Sequence, residues 1–364
     1  MQHPGSKQRI EGYDLARALA VFGMVIVNFK TVMHTSTDSD AGWLAVFNLL
    51  DGRASAIFVV LAGVGISLLS QRARQAGDPA LLRQARRGVF RRAAWLFVIG
   101  LAYIGIWPAD ILHYYGVYLA VGALLLAWPT RALCWLAGGV MAAFAVLFCF
   151  FDYTTAWQWA TLSYAGFWSW QGFLRNLLFN GFHPVLPWVA FLIAGMALGR
   201  LPMHVARVRQ RVFWYGVAAT LLAETLAFGI RSTLAAAGYA PELLHYLFAT
   251  TPMPPLPLYM VSALGSACAV IALCVHVAQP HPGAAWLRPL TDVGQLSLTI
   301  YVAHVVIGMG ALEALGLLTQ QPLAVAVSSA LAFCGVAVLF ARLWQARFRQ
   351  GPLEWLLKKA SAGA

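Results

Sequence analysis

A chain of 364 residues that is 60% hydrophobic and only 10% charged, with a mean hydropathy of +0.70, is too apolar for a water-soluble fold, because ordinary soluble domains are about 25% charged. At about 20 apolar residues per crossing, this length allows about ten transmembrane helices and excludes a sizeable soluble domain. The net charge of +12 does not point to nucleic acid, since the basic residues gather between apolar runs, as membrane-orientation signals do.

In chain order, the apolar runs predict spans at 13–33, 47–70, 93–109, 112–130, 132–151, 184–201, 212–234, 257–279, 291–311 and 322–343. Residues 18–33 are read as part of the first span, because no small-residue cleavage site follows them. The expectation is an all-α polytopic membrane protein, about ten helices in one bundle, forming one domain over residues 1–364. The connecting loop 71–92 carries seven Arg against one Asp. The sixth span is followed by Arg200, Arg207, Arg209 and Arg211, and the tail 344–364 is basic as well. Alternating spans put all three on one side, which the positive-inside rule makes cytoplasmic, with both termini. The other side collects His34, Asp38, Asp40, Asp51, Asp110, His113, Asp152, His183, Glu242 and His245.

The longest outer loop, 152–183, holds Trp157, Trp159, Trp168 and Trp170 and is expected to include an interfacial amphipathic helix. A second outer loop, 236–256, ends in "TPMPPLP", whose prolines stiffen the entry to the eighth span. "GMALG" (195–199) has the G-x-x-x-G spacing of close helix packing, a common pattern that says little alone. The five cysteines all fall in apolar runs without C-x-x-C spacing and read as reduced packing residues.

Four stretches carry residues capable of chemistry. In "RIEGYDLARALAVFGMVIVN" (9–28), Asp14 and Arg17 share a helix face behind Arg9, and Asn28 lies near the far end. A snorkelling pair that anchors the helix start explains the first two equally well. In "WPADILHYYGVYLAVGALLL" (107–126), Asp110 and His113 stand three apart at a tight outer turn. A carboxylate orienting an imidazole supports a general base, while Asp110 as a helix cap is the plainer reading. His183, before Pro184, sits at the head of the sixth span, at an interface or in a site. His304, in "SLTIYVAHVVIGMG" (297–310) behind Ser297 and Thr299, is the least expected residue. A membrane-buried imidazole is costly unless it faces a cavity or a partner. Asp51 and Arg53 open the second span from outside, and Glu224 lies mid-membrane in the seventh with Arg231 two turns on. Glu224 therefore requires a partner or a wet cavity. No nucleotide-binding loop, hydrolase elbow or zinc-ligand spacing occurs, so no metal is expected.

Taken together, "RIEGYDLARALAVFGMVIVN", "DILHYYGVYLAVGALLL", "HPVLPWVAFLIAGMALGR" and "RFRQGPLEWLLKK", in that order along the chain, resemble the transmembrane acyltransferases. That superfamily includes the lysosomal heparan-α-glucosaminide N-acetyltransferase and a bacterial branch filed as domain-of-unknown-function family 418. The opening matches its R-x-x-x-(L)-D-x-x-R-G pattern at Asp14 and Arg17, with Ala18 where the family usually has Gly. Asn28 matches too, and Asp51 matches loosely the acid that opens the second span. The resemblance implies acyl-CoA, most simply acetyl-CoA, as donor, and a hydroxyl or amine acceptor, often a glycan. It also implies a bacterial inner (cytoplasmic) membrane location and a reactive histidine after the first span, where His34 is the one histidine available.

The leading expectation is acyl transfer across the membrane, with the donor nucleotide at the basic rim and its pantetheine arm in the bundle. His34 or His304 would then act as base or acyl carrier, Asp51 or Asp110 would orient it, and Asn28 would polarise the thioester carbonyl. His113 belongs to the same catalytic set, and Asp14, Arg17, Arg53, His183 and Glu224 to substrate binding. The expected partners are the bilayer, acyl-CoA and an unidentified acceptor, with no nucleic acid and a homo-oligomer left open. Two other classes remain: a proton-coupled transporter or small-molecule exporter using His304 and Glu224 as a relay, and a scaffold in which His304 is merely hydrogen-bonded.

Overall fold

Acidic residues at the start of an apolar run and a basic residue at its end suit the dipole of a helix. The first helix follows this rule, with Glu11 and Asp14 in its first turn and Lys30 in its last. The computed structural model of the chain describes residues 10–35, 41–159 and 161–362; Arg9, Asp38 and Asp40 lie outside them. In order, the helices are α1 (Glu11–Met33), α2 (Ala41–Asn48), α3 (Arg53–Leu69), α4 (Gln71–Ala76), α5 (Pro79–Tyr103), α6 (Leu112–Leu124) and α7 (Thr130–Phe150). A small antiparallel hairpin, β1 (Trp157–Gln158) with β2 (Ser163–Tyr164), precedes α8 (Trp170–Arg175). Then come α9 (Val185–Leu198), α10 (Ala206–Ala236), α11 (Pro241–Phe248), α12 (Pro257–Ala278), α13 (Arg288–Gln295), α14 (Ser297–Ala303), α15 (Gly310–Ala314), α16 (Leu323–Gln345) and α17 (Pro352–Ala362). Two π-helical turns, Asn176–Asn180 and His304–Met309, join α8 towards α9 and α14 to α15.

The protein is an all-helical polytopic membrane protein. Among the described residues, seven helical segments are long and apolar enough to cross a bilayer. An eighth is formed if Trp170–Asn180 and Val185–Leu198, bent by 47°, make one broken span. The expected count of ten differs by the two runs 93–109 and 112–130. Beyond Arg92, α5 continues only from Ala93 to Tyr103, about 16 Å at 1.5 Å per residue. The 13 residues of α6 reach about 20 Å, short of the roughly 30 Å hydrocarbon core. The outer loop lies over this short hairpin. Phe173 packs edge-on against Phe97 at 6.4 Å, and Phe167 against His113 at 6.5 Å. Thus the helix expected at the interface in 152–183 is the outer limb of the bent segment.

At the foot of that loop Asp152 accepts from the backbone N–H and the hydroxyl of Thr154, both at 2.8 Å. These bonds hold its carboxyl below the usual carboxylate range. With the bent pair counted as one span, the two runs drop out as a pair and alternation of the remaining spans is unchanged. Accordingly Arg72 and Arg92 line the same cavity as Arg349 and Lys358 of the tail.

Helices α1, α3 and α12 are mostly buried, whereas α7, α10 and α16 present most of their apolar surface outward, as lipid-facing helices do. A tight crossing joins α3 and α9. A methyl on Gly63 would stand 2.0 Å from the Leu192 carbonyl oxygen, and one on Gly195 2.1 Å from that of Val60. Gly199 likewise abuts Val64 and Ser67, so the "GMALG" stripe is the surface that α9 turns to α3.

Candidate active site

The turn after α5 ends at Asp110, which does two things at once. Its Oδ2 accepts the backbone N–H groups of Leu112 at 2.8 Å and His113 at 3.3 Å, capping α6. The same oxygen lies 3.2 Å from His113 Nδ1. A carboxylate only accepts, so Nδ1 carries a proton, and in the neutral imidazole the lone pair is on Nε2. Both side chains are fully buried, and His113 Nε2 has no hydrogen-bond partner among the described residues. This is the arrangement of a general base: an imidazole held on one nitrogen and open on the other.

His304 is also fully buried. Its Nδ1–H donates to the Tyr301 carbonyl, and its Nε2 accepts from Asn28 Nδ2 at 2.9 Å. The π turn begins at His304, and such turns are frequent at functional sites. Tyr301 links the two histidines. Its backbone holds His304, while its hydroxyl accepts from Ile111 N–H at 3.3 Å and approaches Asp110 Oδ1 at 3.4 Å. A chain of polar residues, Asn28–His304–Tyr301–Asp110–His113, joined at Tyr301 through its backbone on one side and its hydroxyl on the other, therefore runs from α1 through α14 to α6.

The remaining expected residues divide into separate groups. Arg17 pairs with Asp14 at 2.8 Å near the start of α1. Asp51 is held by Lys30, whose ammonium donates to both carboxylate oxygens at 2.7 and 2.9 Å and to Asn48 at 2.6 Å. Arg53 pairs with Glu224, which also accepts from Ser262 at 2.7 Å and Thr250 at 2.8 Å. Glu224 thus finds its partner on α3, and Arg231 bonds its own helix at the Ala227 carbonyl. His34 closes the outer end of α1 in a backbone bridge with Gln321. His183 packs edge-on against Trp188 at 4.6 Å, and Tyr118 donates to its carbonyl at 2.5 Å.

Among the described residues, His183 Nδ1, Trp188 Nε1 and the hydroxyls of Tyr259 and Tyr103 are buried without hydrogen-bond partners, like His113 Nε2. Buried polar atoms are almost always satisfied, so this group marks where water or a ligand's polar atoms belong.

On the basic side a cavity of about 840 Å³ opens between α4, α5 and α17, with Arg72, Arg92, Arg349 and Lys358 in its wall. A second cavity, of about 260 Å³, continues inward and shares Leu69, Arg92, Gln295 and Glu354 with the first. It follows one face of α3 from Leu69 through Gly65 and Ala62 to Phe58, about 16 Å along the helix axis. Its inner wall includes Leu112 and Tyr115, on either side of His113 and Tyr114. Among the described residues, no group of three or more His, Cys, Asp or Glu is placed to hold a metal ion.

Sequence reasoning passed over Lys30, Tyr301 and Glu354. A lysine in the last turn of an apolar helix, ahead of the acid that opens the next, was the available signal for Lys30. Tyr301, one turn before His304, had the spacing but resembled an ordinary interfacial aromatic.

The catalytic-domain family of heparan-alpha-glucosaminide N-acetyltransferase matches residues 9–239. The family described as a protein of unknown function (DUF418) matches residues 202–364. None of the curated proteins matches the chain. The first match spans well over half the sequence and the second continues it to the C-terminus. The chain belongs to the heparan-alpha-glucosaminide N-acetyltransferase catalytic-domain family, in its DUF418 branch.

Proposed function

We propose that the protein is an acyltransferase that moves an acyl group, acetyl in the simplest case, from acyl-CoA to a hydroxyl or amine of an extracytoplasmic or membrane-associated acceptor. The observation that carries this reading is the basic cavity that narrows into a mostly apolar passage, whose inner wall includes Leu112 and Tyr115 of the helix that carries His113. Such a shape suits a donor with a phosphate-bearing head and a long uncharged arm. The guanidinium groups of the rim favour phosphates through charge-assisted hydrogen bonds, and the passage excludes water from the thioester.

In this reading His113 Nε2 takes the proton from the acceptor's O–H or N–H as that atom attacks the thioester carbonyl. The tetrahedral intermediate collapses, the C–S bond breaks, and the imidazolium returns the proton to the leaving thiolate. Asp110 keeps His113 in the Nδ1–H tautomer and stabilises its cation. His304 hydrogen-bonds the Asn28 amide and so ties α14 to α1 at the other end of the polar chain. His113 is favoured over His304 because Asn28 already occupies His304 Nε2. The pairing of Glu224 with Arg53 weighs against a proton relay through Glu224. The same reading has one domain in a bacterial cytoplasmic membrane, with both termini on the basic, cytoplasmic side.

The test is the melting temperature of the purified protein in detergent with acetyl-CoA, free CoA and ATP. A ligand at 100 times its Kd adds about 2.7 kcal/mol of stability, so a rise selective for the CoA compounds is expected. The absence of a shift with any acyl-CoA would overturn the donor assignment.

A further inference from the structure

The C-terminal helix α17 stands over the junction of the two cavities. Glu354 lines both of them. Its Oε1 accepts the backbone N–H groups of Leu298 at 2.8 Å and Thr299 at 3.1 Å, and its Oε2 accepts the Thr299 hydroxyl at 2.5 Å. The Thr299 oxygen in turn accepts the Leu353 N–H at 3.1 Å. A helix start leaves its first N–H groups unpaired, and here a side chain from α17 satisfies those of α14. The fit leaves no slack: a methyl on Gly351 would meet Glu354 Oε2 at 2.1 Å and Thr299 Oγ1 at 2.9 Å. On the same face of α17, Leu357 and Lys358 also line the outer cavity. Tyr301 and His304 follow Thr299 on the same helical run.

We infer that Glu354 is a positioning residue: its carboxylate joins the helix that walls the donor entrance to the helix that sets Tyr301 and His304. This inference rests on the donor reading above. A donor seated in the entrance touches the latch itself. It thereby fixes α14 at its first turn and, two and five residues on, the tyrosine and histidine of the polar chain. The reason for a carboxylate at the throat of an otherwise basic entrance is then mechanical, since only an acceptor-only group reaches both N–H groups and the hydroxyl.

The experiment uses the full chain in detergent, labelled with ¹⁵N-histidine, and coenzyme A as the probe. The His304 ring signals are assigned by their loss in His304→Gln. Coenzyme A is expected to bind the wild type and to shift those signals. In Glu354→Ala the shift is expected to fall at least fivefold at saturating coenzyme A, while the protein remains folded by its melting transition. Thr299→Val, which is nearly isosteric and removes two bonds of the latch, gives the same loss, and Thr299→Ser restores the response. A wild-type response in Glu354→Ala or in Thr299→Val overturns the inference. So does coenzyme A binding to the wild type without any response at His304, and in both cases the donor reading stands. Failure of the wild type to bind coenzyme A overturns the donor reading and the inference together.

Discussion

At the scale of single residues, Asp110 carries the most. Its Oδ2 fixes two backbone N–H groups and His113 Nδ1 together. In Asp110→Asn the amide keeps the shape of the cap but no longer enforces the Nδ1–H tautomer of His113. General acid–base catalysis is worth about 10²–10⁴ in rate, so turnover is expected to fall at least about 100-fold with little change in melting temperature. Asp110→Ala also strands the two N–H groups, at about 1–3 kcal/mol each, and a denaturant titration reads the difference. Wild-type turnover in Asp110→Asn would remove His113 as the base. The i, i+3 spacing of this pair was legible in the sequence because both residues lie on one turn. The partner of Asp51 was not, because contacts between helices leave no spacing to read. Lys30→Met leaves Asp51 and Asn48 without their donor. Breaking a fully buried pair costs about 3–5 kcal/mol; the Asp51 side chain is 30% exposed, so solvent screening reduces the expected loss to about 2–3 kcal/mol. Adding Asp51→Leu should recover most of it, as isosteric apolar replacements of buried pairs do. A double variant no more stable than Lys30→Met would assign the loss to packing of the lysine stem instead.

At the scale of helices, small residues decide which faces meet. The G-x-x-x-G spacing of Gly195 and Gly199 was visible in the sequence, but the pattern is too common to name its partner. The structure identifies α3, whose opposite face lines the inner passage. A methyl at Gly195 has no space beside the Val60 carbonyl, and overpacking of this kind costs about 1–3 kcal/mol. Gly195→Ala should therefore lower stability and, by pushing α3 inward, weaken donor binding. Gly139, on the outward-facing α7, has nothing within 4 Å of an added methyl. Gly139→Ala should be neutral or stabilising by up to about 1 kcal/mol, since alanine is the better helix former. Equal melting temperatures for the two variants would mean that α3 and α9 have room to part. The broken segment and the π turn at His304 were not legible, because hydropathy reports how apolar a run is and not where its axis bends.

For the whole molecule, the α5–α6 hairpin decides how far the Asp110–His113 pair lies from each surface. From Arg92, α5 climbs about 16 Å before the turn that leads to Asp110. With Arg92 at the basic edge of the bilayer, this length predicts that the hairpin ends inside the hydrocarbon layer, against Phe167 and Phe173 of the outer loop. The inner passage approaches α6 from the basic side at Leu112 and Tyr115, while Phe167 of the outer loop covers the His113 ring. Hydropathy alone read the same residues as two full crossings, since both runs are apolar. With the bent pair counted as one span, removing both runs leaves the alternation on which the expected side assignment rests unchanged. Ile106, at the tip and 61% exposed, distinguishes the two arrangements. In a cysteine-free background in sealed vesicles, Ile106→Cys is expected to resist a membrane-impermeant maleimide from both sides and to react only after detergent is added. Asp152→Cys should react from one side and Arg72→Cys from the other. If Ile106→Cys reacts as readily as Asp152→Cys and from the same side, the hairpin crosses the bilayer. The acid–base pair would then lie at the outer surface, and a donor arm entering from the basic side would have to traverse nearly the whole membrane to meet it.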